Sequence, residues 1–203
     1  LLRGALDVGA LRRAFDEIVR RHETLRTALP FTGEHPVQVI GEPVPVHLPI
    51  HDFRHLPEAE RDAEEERVLR EVATQPFDMA RGPLFRVALL RLAEDEHVLA
   101  VVLHHVISDG WSLGVLWTEL SALYGAFAEG RPSPLPDLPI QYADFAVWQR
   151  GWLSGEVLEA QLGYWRRKLA GIPPLLELPA DRTRPAVQTY AGAVETIALT
   201  GED

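Results

Sequence analysis

Cysteine is absent from this chain of 203 residues, which rules out a disulfide framework and any thiolate metal site. Lysine is nearly absent as well. Lys168 is the only one, and every other basic residue is an arginine, a bias that reads as GC-rich coding rather than as a functional device. Long apolar runs are missing too: no stretch approaches the roughly 18 residues needed to span a bilayer. Leu1 is not followed by the basic and then apolar segments of a signal peptide. Positive charge is in deficit, with 20 Lys and Arg against 30 Asp and Glu and a net charge of −10, which argues against nonspecific nucleic-acid binding. These absences lead to the expectation of a cytoplasmic protein with no membrane and no nucleic-acid partner. The opening Leu1-Leu2-Arg3-Gly4 carries no initiator Met and runs at once into patterned sequence, so a piece of a longer polypeptide is expected.

What is present is ordinary globular composition, 46% hydrophobic and 25% charged, enough for a hydrophobic core. Asp7 is positioned as an N-cap, and Val8, Leu11, Phe15, Ile18, Val19 and His22 recur at helical spacing. This helix is expected to end between Arg26 and Pro30. Val37 to Ile40 and Val44 to Leu48 read as short strands broken by Pro43 and Pro45. Pro57 to Thr74 reads as a charged surface helix with a thin apolar stripe. Leu84 to Leu92 and His97 to His105 read as two strands of a hairpin. A helix burying Leu113, Leu116, Trp117, Leu120, Leu123, Tyr124 and Phe127 should follow and stop at Gly130. A Pro-rich connector over 131–139 leads to two further helices, about 141–153 and 156–170. A second Pro-rich crossover (173–185) and a strand from Ala193 to Thr200 close the chain. Tyr142, Phe145, Trp148 and Trp152 share a helical face and read as core or lobe-packing residues. The acidic helix reads as a solvated face, and Arg166, Arg167 and Lys168 as a basic helix end that an acidic surface would also suit.

The most informative segment is His104 to Gly110, HHVISDG. It follows the apolar run Val98 to Leu103, which reads as a buried strand, and precedes Trp111-Ser112-Leu113, which opens a helix. Two histidines and an aspartate therefore stand where a core strand ends, a place where side chains reach a substrate from rigid support. Adjacent strand residues point to opposite faces, so one histidine should face a site and the other should pack. Asp109 can accept a hydrogen bond from a ring nitrogen or pair with an arginine. Gly110 leaves room for close approach. Imidazole titrates near neutrality, which suits proton removal or hydrogen bonding to developing charge. No metal is expected, because no third or fourth ligand stands nearby; His97 is at the far end of the strand.

HHVISDGWS resembles the HHxxxDG signature of condensation domains of nonribosomal peptide synthetases. Three further segments agree in order: Arg21 to Thr27 (RHETLRT) is similar to the family's RHExLRT, Gln75 to Asp78 with Gly82-Pro83-Leu84 to its PFD…GPL, and Tyr142 to Trp148 (YADFAVW) to its YxDFAxW. The resemblance implies an α/β fold, a chloramphenicol acetyltransferase-like sandwich, of which this chain is mainly the N-terminal lobe of a two-lobed domain. Residues 1–170 would form that lobe without its first motif, and 171–203 the crossover and the start of the second lobe. It implies peptide-bond formation between a donor thioester and an acceptor amine. Both are carried on phosphopantetheine arms by upstream and downstream peptidyl carrier proteins, beside an adenylation domain on the same megasynthase. No cofactor is expected to bind the chain directly.

By the same resemblance His105 is the catalytic histidine. Asp109 holds the loop, Gly110 lies against the reacting groups, and His104, Trp111 and Ser112 complete the constellation. Arg21 and Arg26 are expected on the supporting helix, one of them paired with Asp109. Positioning the amine by hydrogen bonding ranks above general-base action for His105, since a free α-amine titrates near pH 8. His104 and His105 argue against the cyclising branch, whose pattern resembles DxxxxD. Trp111-Ser112-Leu113-Gly114 resembles the peptide-forming branch and its L-donor type. With the second lobe absent, this chain alone is expected to be inactive. Two rivals are a coenzyme A-dependent or other carrier-dependent HxxxD acyltransferase, and a non-catalytic lobe that docks carrier proteins.

Overall fold

The computed structural model describes residues 1–176, 179–183, 185–189 and 192–198. They divide into two compact units, Leu1–Trp152 and Leu153–Asp203.

In the first unit a four-stranded sheet runs in the order β1-β8-β7-β6, formed by Leu2–Arg3 (β1), Ile50–Asp52 (β6), Phe85–Arg91 (β7) and Glu96–Leu103 (β8). β7 and β8 make the expected antiparallel hairpin, with Phe85 opposite Leu103 and Arg91 opposite His97. β7 is the buried strand. Its Phe85, Val87 and Leu89 meet α1 (Val8–Arg21) and α3 (Gly110–Ala128) on one face, while Ala88 and Leu90 meet α2 (Glu58–Thr74) on the other. Helices on both faces explain why its sequence is apolar without alternation. β8, expected to be buried, is mostly half-buried. Its outer neighbour β1 covers only Glu96 and His97.

α1 is capped as expected, Asp7 accepting from the Ala10 amide at 2.9 Å. It ends earlier than expected, at Arg21, because His22 turns extended and Glu23–Arg26 forms a 3-10 turn. Two short hairpin pairs follow: Thr27–Ala28 (β2) with Val39–Ile40 (β5), and Phe31–Thr32 (β3) with His35–Pro36 (β4). The strand expected at Val44 to Leu48 does not form. Pro43, Pro45 and Pro49 remove ladder donors, and α1 side chains take over instead: the Val46 amide donates to Asp16 at 2.7 Å, and Arg12 donates to the Leu48 carbonyl at 2.9 Å.

α2 buries only Val68 and carries ion pairs such as Arg67 with Glu64 (2.9 Å) and Glu71 (3.1 Å), in keeping with a solvated face. α3 buries Leu116, Leu120, Leu123 and Ala126, but Leu113 and Trp117, expected inside, are exposed. It stops at Gly130, whose φ of 70° sits in a paired-carbonyl cap: Gly130 donates to Phe127 and Arg131 to Ala126. α4 (Tyr142–Trp152) buries no residue. Its aromatics, expected as core or lobe-packing residues, are not in the core of this unit and form an exposed row. Phe145 stands 5.9 Å from Tyr142 and 5.7 Å from Trp148, and Trp148 stacks on Trp152 at 5.6 Å.

The second unit contains α5 (Gly155–Lys168), with Arg166 paired to Glu159 at 3.3 Å. Beyond it, the described residues form no helix or strand. Residues 192–198 are without strand pairing, and the last two of the strand expected there, Leu199 and Thr200, lie outside the described residues.

Candidate active site

The β7–β8 ladder is extended by one bond past Leu103, from the His104 amide to the Leu84 carbonyl at 2.8 Å. The chain then turns around the His104 carbonyl, which accepts from the Ile107 amide at 3.0 Å and from Ser108 Oγ at 3.4 Å. This turn, rather than strand alternation, separates the two histidines. His104 packs: its Nδ1 accepts from the Val106 amide at 3.1 Å, and its ring meets Phe77 edge-on at 6.0 Å. Phe77 also packs under the Arg86 guanidinium, 3.8 Å from the ring centre. Arg86 in turn donates to the carbonyls of Val72 and Pro76 at 3.1 Å, which ties the Gln75-Pro76-Phe77 segment to the end of α2. Burial lowers the pKa of Arg86 from its usual value.

His105 is exposed and faces a cavity of about 530 Å³. Leu25, Leu116, Leu138 and Ile140 give the cavity apolar walls, while Asp109, Trp111 and Ser112 line it near the motif. Trp111 is 85% exposed, an amphipathic ring free to cover whatever enters. A Cβ added at Gly110 would meet nothing within 4 Å, so space beside that backbone is open to a ligand and no protein segment requires the glycine.

Asp109 is the N-cap of α3. Its carboxylate accepts from the Ser112 amide at 2.8 Å and from Ser112 Oγ at 2.7 Å, while Ser112 Oγ accepts from the Asp109 amide at 3.3 Å. The Ser112 hydroxyl and amide, in that order, hold the Asp109 pKa below the usual carboxylate range, with a smaller contribution from the charge of His105. This reciprocal cap fixes the loop to the helix.

The expected arginine partner of Asp109 is not there. Arg21, the last residue of α1, forks onto Glu119 at 3.2 and 3.3 Å and donates to the Pro136 carbonyl at 2.7 Å. Arg26 is not on the helix at all: it sits in the 3-10 turn, donating to the Gly41 carbonyl at 2.6 Å and to Glu23 at 3.4 Å. The reason is geometric. Glu119 lies ten residues along α3 from Asp109, about 15 Å at 1.5 Å per residue, and α1 delivers Arg21 at that level. The N–H groups at the start of α3 already satisfy Asp109.

Two further residues belong here: His22, read from the sequence only as part of the first helix and of RHETLRT, and Glu119, which the sequence reading did not single out. His22 lines the same cavity as His105, and its Nε2 meets Glu119 at 2.8 Å. Burial pushes the Glu119 carboxyl up, but hydrogen bonds from Arg21 and His22 outweigh it and leave the pKa below its usual value. A detectable signal existed: Glu119 is a lone carboxylate between Leu116, Leu120 and Leu123 on the core stripe of α3. Among the described residues no three histidine or carboxylate side chains converge as a metal site would require.

The family model for the Condensation domain matches residues 1–203. The chain belongs to the condensation domain family. Chondramide synthase cmdD of Chondromyces crocatus is 52% identical over 191 residues, 94% of this chain and 5% of that synthase. Phosphinothricin tripeptide synthetase PhsC of Streptomyces viridochromogenes is 46% identical over 193 residues, 95% of this chain and 18% of that protein. Among solved structures, the X-domain in complex with OxyB from teicoplanin biosynthesis is 38% identical, with a TM-score of 0.78 over 92% of this chain and 40% of that one. The chloramphenicol acetyltransferase-like α/β fold expected from the motifs is therefore present, and this chain corresponds to the N-terminal portion of such a condensation domain. It spans about two fifths of the solved domain and a small fraction of the synthases.

Proposed function

We propose that this chain is the N-terminal part of a condensation domain that forms peptide bonds in nonribosomal peptide biosynthesis. The supporting observation is the position of His105: exposed, on a turn between the end of β8 and a capped helix, facing a cavity with apolar walls. An acceptor amine placed there meets an imidazole that can hydrogen-bond it and orient its lone pair toward the donor thioester. The carbon–nitrogen bond forms, the carbon–sulfur bond breaks, and the upstream thiol leaves. Asp109 and Ser112 hold His105 in place through the helix cap, His104 anchors the turn on Phe77, and Gly110 and Trp111 border the entering groups.

Phosphopantetheine arms are substrate here, delivered by upstream and downstream peptidyl carrier proteins, with an adenylation domain on the same polypeptide and a cytoplasmic setting. Residues 1–170 are assigned to the N-terminal lobe and 171–203 to the crossover and the start of the second lobe. The chain alone, at two fifths of a solved domain, is proposed to give little product.

The test uses the domain with its second lobe and with donor and acceptor carriers loaded. Intact-mass spectrometry follows dipeptide on the acceptor carrier for wild type and His105→Ala. Product from wild type alone places His105 in the chemistry. Equal product from both leaves condensation standing and removes His105 from it. No product from either, with carriers bound, supports a second reading, a docking lobe. That reading is favoured by the likeness to the teicoplanin X-domain, solved in complex with another protein, OxyB.

A further inference from the structure

His105 is not the only imidazole facing the cavity. His22, where α1 ends, also lines it, and its Nε2 is 2.8 Å from a Glu119 carboxylate that Arg21 grips on both oxygens. Arg21 keeps Glu119 ionised, so Glu119 accepts and Nε2 must carry the proton. A neutral ring then leaves Nδ1 as a bare acceptor. The His22 side chain keeps 24% of its surface exposed and lines the cavity, and Nδ1 is not among the sealed, unpartnered side-chain atoms of the described residues. A carboxylate behind an imidazole fixes its tautomer and stabilises the cation formed when the far nitrogen takes a proton.

We propose that His22, backed by Glu119, is the residue that accepts the proton lost by the acceptor's α-ammonium group, while His105 orients the amine. The inference rests on the condensation reading above. At neutral pH an α-amine with a pKa near 8 is mostly ammonium, and an ammonium has no lone pair with which to attack. Its N–H bond breaks and the proton goes to Nδ1, directly or through water in the cavity. The freed amine forms the carbon–nitrogen bond, the carbon–sulfur bond breaks, and the departing thiolate takes the second proton from nitrogen. The imidazolium returns its proton to solvent. The charged groups around His22 suit this cycle. Glu119 from α3 faces it, Arg21 and Glu23 flank it in the chain, neutral Gln141 donates across to the Arg21 carbonyl, and Asp109 and His105 stand on the motif side of the cavity.

The test measures dipeptide formation against pH in the full synthetase with loaded carriers, for wild type and His22→Gln. Glutamine keeps an N–H for Glu119 but holds no proton at neutral pH. The expected result is a rate about 100-fold lower at pH 7, with the deficit closing above pH 8, where free amine is already present, and with acceptor KM little changed. A purely structural role gives the same deficit at every pH, and that result, or an undiminished rate, overturns the proposal. Wild type that makes no product overturns the condensation reading and this inference with it. If His22→Gln unfolds, nitrogen-15 NMR of the wild-type histidine rings decides. The Nε2–H tautomer, with Nδ1 protonating as acidity rises, supports the assignment, and an Nδ1–H tautomer sinks it.

Discussion

Arg21 and Glu119 stand 98 residues apart in sequence and meet as a two-point ion pair, at 3.2 and 3.3 Å, between the end of α1 and the middle of α3. Their side chains are 3% and 13% exposed. A guanidinium fork on a carboxylate in this setting gives orientation as well as attraction. It sets the register of the two helices that wall the cavity, and it holds the carboxylate against which His22 rests.

Removing one partner should be costly. Arg21→Ala leaves Glu119 half-buried in charge and the Pro136 carbonyl unpaired, and is expected to lower stability by about 3–5 kcal/mol. The double change Arg21→Met with Glu119→Leu should recover much of that loss, since packing replaces a desolvated pair. Urea unfolding of the three proteins checks the order; a double variant no better than the single would show that the pair is more than mutual compensation. The Glu119 pKa is depressed, so the folded state holds fewer protons there than the unfolded one. That stability is present above the ordinary value of 4.5 and is lost as pH falls through the folded pKa.

Asp109 acts through its cap. Asp109→Asn keeps a side-chain oxygen for the Ser112 amide and should melt close to wild type, whereas Asp109→Ala should melt several degrees lower. Were an arginine pair the main role, asparagine would be nearly as damaging as alanine. Comparing melting midpoints of the two variants, in a domain with its second lobe, separates the roles.

Much of this arrangement was legible in the sequence because it is local. The Asp7 cap, the hairpin of β7 and β8 and the stop at Gly130 each follow from residues within a few positions of one another; the α3 cap at Asp109 is as local, yet was read as a ring-nitrogen or arginine contact instead. What was not legible depends on partners far along the chain. Arg21 chose Glu119 rather than Asp109 because of where α1 crosses α3, which no spacing within either helix states. Val44 to Leu48 alternates like a strand, yet its prolines and the competing donors and acceptors of Arg12 and Asp16 leave it unpaired. The α4 aromatics have the periodicity of a core face, but periodicity cannot tell whether anything covers the face; here the rings touch one another and stay exposed.

Phe77 links two of the recognised segments physically, since both the His104 ring and the Arg86 guanidinium pack on it. Phe77→Ala should cost about 2 kcal/mol, roughly half the value for a fully buried ring, because Phe77 is half-buried. Phe77→Leu keeps most of the volume and loses the ring's negative face, so about 0.5–1 kcal/mol is expected. The His104 ring resonances should shift in both variants. Unmoved resonances with unchanged stability would show that the PFD segment does not support the histidine pair.

His97 supplies a pH dependence of opposite chemistry. It is 4% exposed in the first pairing of β8, opposite Leu2 on one side and Arg91 on the other, and its Nδ1 is sealed without a partner. Burial first, and then the charges of Arg91 and Arg54, lower its pKa, against weaker opposition from Asp95 and Glu94. The neutral ring is therefore favoured in the fold, and the unfolded chain binds the proton more readily. Stability contributed here is complete above 6.5, the ordinary value, and declines as pH falls below it toward the lower folded pKa. His97→Leu should flatten that decline and remove the sealed nitrogen. Unfolding free energies from pH 7.5 to 5 for both proteins test this, and parallel curves would mean that another group governs the acid side.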